Sequence, residues 1–153
     1  MLFVVDTSCL IVLERLNWLD ELLSHADDTF ICPPRVIQEL KNNTLLLKWL
    51  KKGIVGITNV DKPILMTGIS VTDAEVVALA LERGGSILSE DMLLSKKAQK
   101  LALPVYNVSR LIVLYYQYGR FKHEDCLARL KILVAEHIIS KTFYRQLLEN
   151  IWL

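Results

Sequence analysis

Apolar positions along the chain fall into two alternating patterns. Short continuous runs, rich in β-branched and aromatic residues, occur at Leu2 to Val5, Thr29 to Cys32, Ile54 to Thr58, Ser86 to Ser89 and Pro104 to Tyr106. Runs of that length, apolar on both sides, suit strands buried on both faces. Between them the spacing is helical. Pro34 fits a first helical turn and opens Arg35 to Lys41. Leu45 to Lys52 reads as a shorter helix, with Gly53 at its C′ position. Thr72-Asp73-Ala74-Glu75 has the form of a capping box, opening a helix to about Arg83 that Gly84-Gly85 ends. Met92 to Leu101 is a further helix, stopped before Pro104. In the tail from Lys122 to Leu153, two more helices follow from Leu127, Leu130, Val134 and Ile138, and from Phe143, Leu147 and Ile151, with Trp152 and Leu153 adding apolar bulk. This tail either covers the sheet or offers a dimer or partner surface. Strand and helix in alternation predict an α/β fold: a parallel sheet of about five strands with helices on both faces, and a helical C-terminal extension.

Composition narrows the class. The 153 residues are 52% apolar and 23% charged, enough for a real core and unlike a disordered chain. No repeat or composition break divides them, so a single domain over residues 1–153 is expected, with 122–153 as its extension. Apolar runs such as Leu111 to Tyr116 fall far short of the roughly 20 residues of a membrane span. The start, Met1 to Val5, lacks a basic stretch and is cut off by Asp6, unlike a secretory signal. Cys9, Cys32 and Cys126 are odd in number and widely spaced, which suits reduced thiols and a cytoplasmic location. The formal charge of +1 names no partner, so only its distribution is informative.

In open parallel sheets, ligands bind beyond the carboxyl ends of the strands, near the point where strand order reverses. Asp6 follows the first run, and Glu90 and Asp91 follow the fourth. Glu39 lies on the helix after the second run, and Asp73 and Glu75 open the helix before the fourth. If one crevice gathers Asp6, Glu39, Asp73 and Asp91, their like charges demand a cation, and oxygen ligands favour Mg2+ or Mn2+. Each residue also has a plainer reading. Asp6 and Asp91 fit helix caps, Glu39 a solvated helix face, and Asp73 and Glu75 the start of a helix. The weight lies in the conjunction, since every carboxylate falls where the fold would place a site.

The distribution of charge points the same way. From Met92 to His123 the chain has no acid but carries Lys96, Lys97, Lys100, Arg110, Arg120 and Lys122. From Leu40 to Val60 it carries Lys41, Lys48, Lys51 and Lys52, again with no acid. An acidic centre between basic stretches suits a metal-dependent nuclease, with Lys96, Lys97 and Lys100 as candidate RNA-binding residues. Tyr115, Tyr116 and Tyr118 are candidates for stacking on unpaired bases, with core packing expected for at least two of them.

At these residues the chain resembles the PIN-domain family of nucleases, in order over about residues 2 to 108. Val4-Val5-Asp6-Thr7-Ser8-Cys9-Leu10 is similar to the family's opening signature, and Val36-Ile37-Gln38-Glu39-Leu40 to its second motif. Thr72-Asp73-Ala74-Glu75-Val76-Val77-Ala78-Leu79-Ala80 resembles the third, with Asp73 as the acid, and Ile87-Leu88-Ser89-Glu90-Asp91 the fourth, with Asp91 as the acid. The resemblance implies a three-layer α/β/α fold and Mg2+- or Mn2+-dependent cleavage of single-stranded RNA. It implies Asp6, Asp73 and Asp91 as metal ligands, Glu39 completing the catalytic set, and Ser8 orienting the first carboxylate or water. Many prokaryotic members are toxins restrained by a small antitoxin protein, as in VapBC modules, and often form homodimers. The chain departs from that pattern at Leu93, where many toxin members carry a further acid, and in its long tail. Glu75 is an accessory candidate, about 200° round the helix from Asp73.

Other chemistries fit less well. No histidine is placed to serve Cys9 as a base, and His25, His123 and His137 lack metal-ligand spacing. A phospho-acceptor domain would want an acidic pair after the first strand and a lysine after the last, but Asp6 stands alone and Tyr106-Asn107 close the series. A catalytically silent PIN-like domain that binds RNA or protein is the alternative to the enzyme.

Overall fold

The computed structural model describes residues 1–152, and their side chains except those of Leu45, Trp49 and Trp152; Trp152 and Leu153, read above as apolar bulk, lie outside the described side chains. The elements run β1 (Leu2–Val5), α1 (Thr7–Arg15), α2 (Leu19–Leu23), β2 (Thr29–Cys32), α3 (Pro34–Glu39), α4 (Thr44–Leu50), β3 (Val55–Ile57), α5 (Val71–Arg83), β4 (Ser86–Leu88), α6 (Met92–Lys100), β5 (Val105–Tyr106), α7 (Val108–Gln117), α8 (His123–Ala135) and α9 (Lys141–Trp152). No helix among the described residues is long and apolar enough to cross a membrane.

The chain forms two compact units, the first from Met1 to Tyr106 and the second from Asn107 onward. In the first, five parallel strands form one sheet in the order β3-β2-β1-β4-β5. Chain order therefore runs one way from β1 to β3 and then jumps back over β1 to β4. Right-handed crossovers put the helices of these two halves on opposite faces of the sheet. The reversal falls between β1 and β4, where Val5 pairs with Leu88. Residues that follow β1 and β4 thus share one crevice.

Both faces of the sheet are covered. Phe3, Val4, Val5, Ile87 and Leu88 are all buried, as a parallel sheet between helices requires. Phe3 stacks on Phe30 at 5.4 Å and meets the edge of Tyr106 at 6.1 Å, tying three strands together at one face. Helix α5 buries Ala74, Val76, Val77, Ala78, Leu79 and Ala80, and packs against β1 and β4. Its C-terminus is closed by Gly84 in the left-handed conformation (φ 66°), where a side chain would be strained. The start of α5 differs from the expected capping box. Ser70, not Thr72, is the N-cap, and its Oγ accepts from Asp73 N at 3.1 Å. Thr72 is instead buried within the first turn.

The second unit is helical: α7 packs on α8 and α9, and α8 on α9. Tyr115 is buried there, with Phe121 against its edge at 5.7 Å and the Arg120 guanidinium 4.8 Å from its ring centre. Tyr116 is half-buried beside His123, and Tyr118 is exposed. Core packing thus holds outright for Tyr115 and in part for Tyr116.

Candidate active site

Asp6 is the last residue before α1, and the end of β1 brings it into the crevice. Its backbone N–H still belongs to the sheet, donating to Leu88 O at 2.9 Å. Its carboxylate is 3% exposed and surrounded by donors. Thr7 N donates to Oδ1 at 2.7 Å, while Ser8 Oγ and Ser89 Oγ each donate to Oδ2 at 2.8 Å. Burial pushes the Asp6 carboxyl above the usual carboxylate range, the three hydrogen bonds pull it back, and the charge of Asp91 adds to the rise.

Ser89 is the residue whose role gave no signal in the sequence. It follows β4, is 1% exposed, and links the two aspartates. Its hydroxyl donates to Asp6 and accepts from Asp91 N at 3.0 Å. Ser8 mirrors it, donating to Asp6 and accepting from Glu90 N at 3.0 Å. Two serine hydroxyls thus stitch the end of β1 to the end of β4. Asp91 is also the N-cap of α6, with Oδ1 accepting from Leu93 N at 2.8 Å and Leu94 N at 3.1 Å. The capping readings of Asp6 and Asp91 therefore hold, and both residues still lie in the crevice.

Asp73 enters from the first turn of α5. Its carboxyl is pushed up to about 6, first by burial and then by the charges of Asp6, Asp91 and, more weakly, Glu39. Ser70 opposes this through its hydrogen bond. Those contributions place Asp6, Asp91 and Glu39 within electrostatic reach of Asp73. Glu39, the last residue of α3, is exposed and accepts from Thr7 Oγ1 at 2.6 Å, so it is joined to the residue next to Asp6. Glu75 faces another way: its Oε1 pairs with Arg35 Nε at 2.7 Å. Lys96 and Lys100 project from α6 into solvent, whereas Lys97 is half-buried beside Gly68.

The donor set suits a hard divalent cation, because the negative charge that raises Asp6 and Asp73 is relieved by a positive one. As they stand, no three carboxylate, imidazole or thiol groups among the described residues converge closely enough to hold a metal. What converges is a concentrated negative field, with one well-fixed carboxylate at its base. Thiol chemistry is disfavoured here. Burial pushes the Cys9 thiol well above its ordinary range, with the charges of Glu90 and Asp6 adding to the effect.

Comparison with known proteins agrees with this architecture. A family model described as DUF3368, a PIN domain, matches residues 2–151. No curated protein matches the chain. Among solved structures, the chain is similar to a PilT N-terminus domain protein, SSO1118, from the hyperthermophilic archaeon Sulfolobus solfataricus P2. That similarity has a TM-score of 0.60 at 19% identity and covers 72% of this chain and 90% of that one. A domain of a functionally unknown protein from Methanocaldococcus jannaschii DSM 2661 is also similar, at TM-score 0.49 and 18% identity over 70% of this chain and 90% of that one. The first of these shows the fold; the family match spans nearly the whole sequence, and with the carboxylates at the switch point of the sheet it establishes that this chain belongs to the PIN-domain family.

Proposed function

We propose that the protein is a metal-dependent endoribonuclease that cleaves single-stranded RNA at the crevice between β1 and β4. The observation that carries this reading is that Ser89 joins Asp6 to Asp91 across the ends of β1 and β4, with Asp73 beside them, its carboxyl raised first by burial and then by the charges of Asp6, Asp91 and Glu39. Helix capping accounts for the positions of Asp6 and Asp91, but not for the presence of Asp73 and Glu39 beside them, since like charges oppose folding. Asp6, Asp73 and Asp91 would hold Mg2+ or Mn2+. When bound, such an ion neutralises phosphate charge and acidifies water for attack on the phosphodiester. The chain's own residues do the rest. Ser8 and Ser89 fix the Asp6 carboxylate, and Thr7 holds Glu39 beside it. Lys96 and Lys100, exposed on α6 beyond Asp91, supply contacts to the RNA backbone, with Lys97 as a third.

The test is the Asp6→Asn variant with Mn2+. Cleavage of a mixed-sequence single-stranded RNA should be lost, and calorimetric Mn2+ binding should be lost with it. The thermal midpoint should stay equal or rise, because a buried charge is removed. Retained cleavage would refute the assignment.

One observation favours a second reading, a silent domain that binds RNA or protein: no three candidate ligands among the described residues yet form a metal-holding group. In that case wild-type protein would bind RNA without taking up Mn2+. A toxin role, with a small antitoxin protein and a homodimer, rests on the family resemblance. Its check is whether a short reading frame beside this one encodes a protein that suppresses the cleavage.

A further inference from the structure

The carboxyl-end side of the sheet, where the carboxylates lie, also carries an open cavity of about 370 Å³. Arg35 and Gln38 of α3, Asn59, Val60 and Pro63 of the segment after β3, and Glu75 of α5 line it. That volume falls in the range of sites for small organic groups. The cavity shares two elements with the crevice. Glu75 lies two residues beyond Asp73 on α5 but on the opposite side of that helix, so the link runs through α3: Gln38 adjoins Glu39, and Arg35 lies one turn before it on the same face, which puts the cavity at the Glu39 side of the crevice.

The lining defines what fits. Val60 and Pro63 give apolar surface for the face of a ring, while the Gln38 and Asn59 amides each present both a donor and an acceptor. The Arg35 guanidinium is already matched in charge by Glu75, its Nε 2.7 Å from Oε1. A neutralised cation does not call for a free anion. It leaves a site suited to an uncharged ring with polar edges. The wall is also held in place: Glu82 of α5 accepts from Lys62 N at 2.7 Å and from Asp61 N at 3.1 Å, tethering the segment that carries Val60 and Pro63.

We propose that this cavity takes one nucleobase of a single-stranded RNA, adjacent to the phosphodiester presented to the carboxylates, and so sets the base preference of the protein. The inference rests on the nuclease reading of the crevice, but its binding half is tested separately. Gln38 and Asn59 are exposed, so Gln38→Ala and Asn59→Ala leave the fold intact. The first experiment titrates the full-length Asp6→Asn protein with AMP, GMP, CMP and UMP, with ribose 5-phosphate as control, following backbone amide signals by NMR. At least one nucleotide should shift Gln38, Asn59 and Val60 where ribose 5-phosphate does not, and the Gln38→Ala/Asn59→Ala change should abolish that shift. The second compares cleavage of RNAs differing at one base. The double variant should lose discrimination by about tenfold, the worth of one or two hydrogen bonds, while Mn2+ affinity is unchanged. Shifts equal for ribose 5-phosphate, or no shifts at all, would overturn the proposal, as would an undiminished base preference in the double variant. Nucleotide shifts in the Asp6→Asn protein, together with a wild-type protein that cleaves no RNA, would support the cavity and count against the nuclease reading instead.

Discussion

A carboxylate as deeply buried as Asp6 must have its oxygens supplied with donors, and the three it has come from residues at two strand ends. This makes Ser89 as consequential as the aspartates. Ser89→Ala removes a donor from Asp6 and also leaves the Asp91 N–H without its acceptor. The expected cost is about 1–3 kcal/mol in denaturant unfolding, together with weaker Mn2+ binding by calorimetry. Ser8→Ala should cost less, since Ser8 is half-exposed and water can replace its hydroxyl. Equal stability of Ser89→Ala and wild type would show that the link between the strand ends carries no energy. Asp6 and Asp91 were legible in the sequence because a charge that ends an apolar strand is conspicuous. Ser89 was not, since a serine closing a strand resembles any turn residue and its partner lies 83 positions away. Arg35 escaped notice for a similar reason: its pairing with Glu75 bridges two helices and has no local trace.

Among the elements, the strands were legible to within a residue or so, because buried parallel strands are marked by their continuous apolar character. The start of α5 was not. Both Ser70-Val71-Thr72-Asp73 and Thr72-Asp73-Ala74-Glu75 have capping spacing, and tertiary packing chooses between them. Thr72 is drawn into the core, so the extended cap conformation falls at Ser70 (φ −67°, ψ 163°). The choice matters because it places Asp73 at the third helical position, where it meets the crevice. Ser70→Ala should therefore destabilise the protein by about 1 kcal/mol in thermal or urea unfolding, the usual worth of a serine cap. If Ser70→Ala is neutral, the cap does not set the helix start. Helix α7 gave no periodic signal because Val108, Ser109, Leu111, Ile112, Val113 and Tyr115 are all buried, more than one stripe can hold. At five residues, α2 is too short for periodicity to show.

For the molecule as a whole, alternation of strands and helices implied a parallel sheet, but nothing in the apolar pattern fixes which strand lies beside which. The order β3-β2-β1-β4-β5 is what makes Asp6 and Asp91 neighbours, and burial together with the charges gathered there gives stability a definite dependence on pH. Asp73 titrates at about 6 in the folded protein, against 3.8 for an ordinary aspartate, and Asp6 is shifted in the same direction. Between those values the native state binds more protons than the unfolded chain, so unfolding free energy from this source falls as pH rises from about 4 to about 6. Asp73→Asn removes that loss. The variant should gain on wild type in thermal midpoint across this window and keep a constant advantage above it. A divalent cation should do the same for wild type at pH 7 by screening the carboxylates, and its hold should weaken below about pH 6, where Asp73 must first release its proton. Melting curves at pH 4.5, 6 and 7.5, with and without Mn2+, separate the effects. If Asp73→Asn melts at a fixed offset from wild type throughout, the negative charges are too far apart to form one site, and the metal-binding reading loses its electrostatic basis.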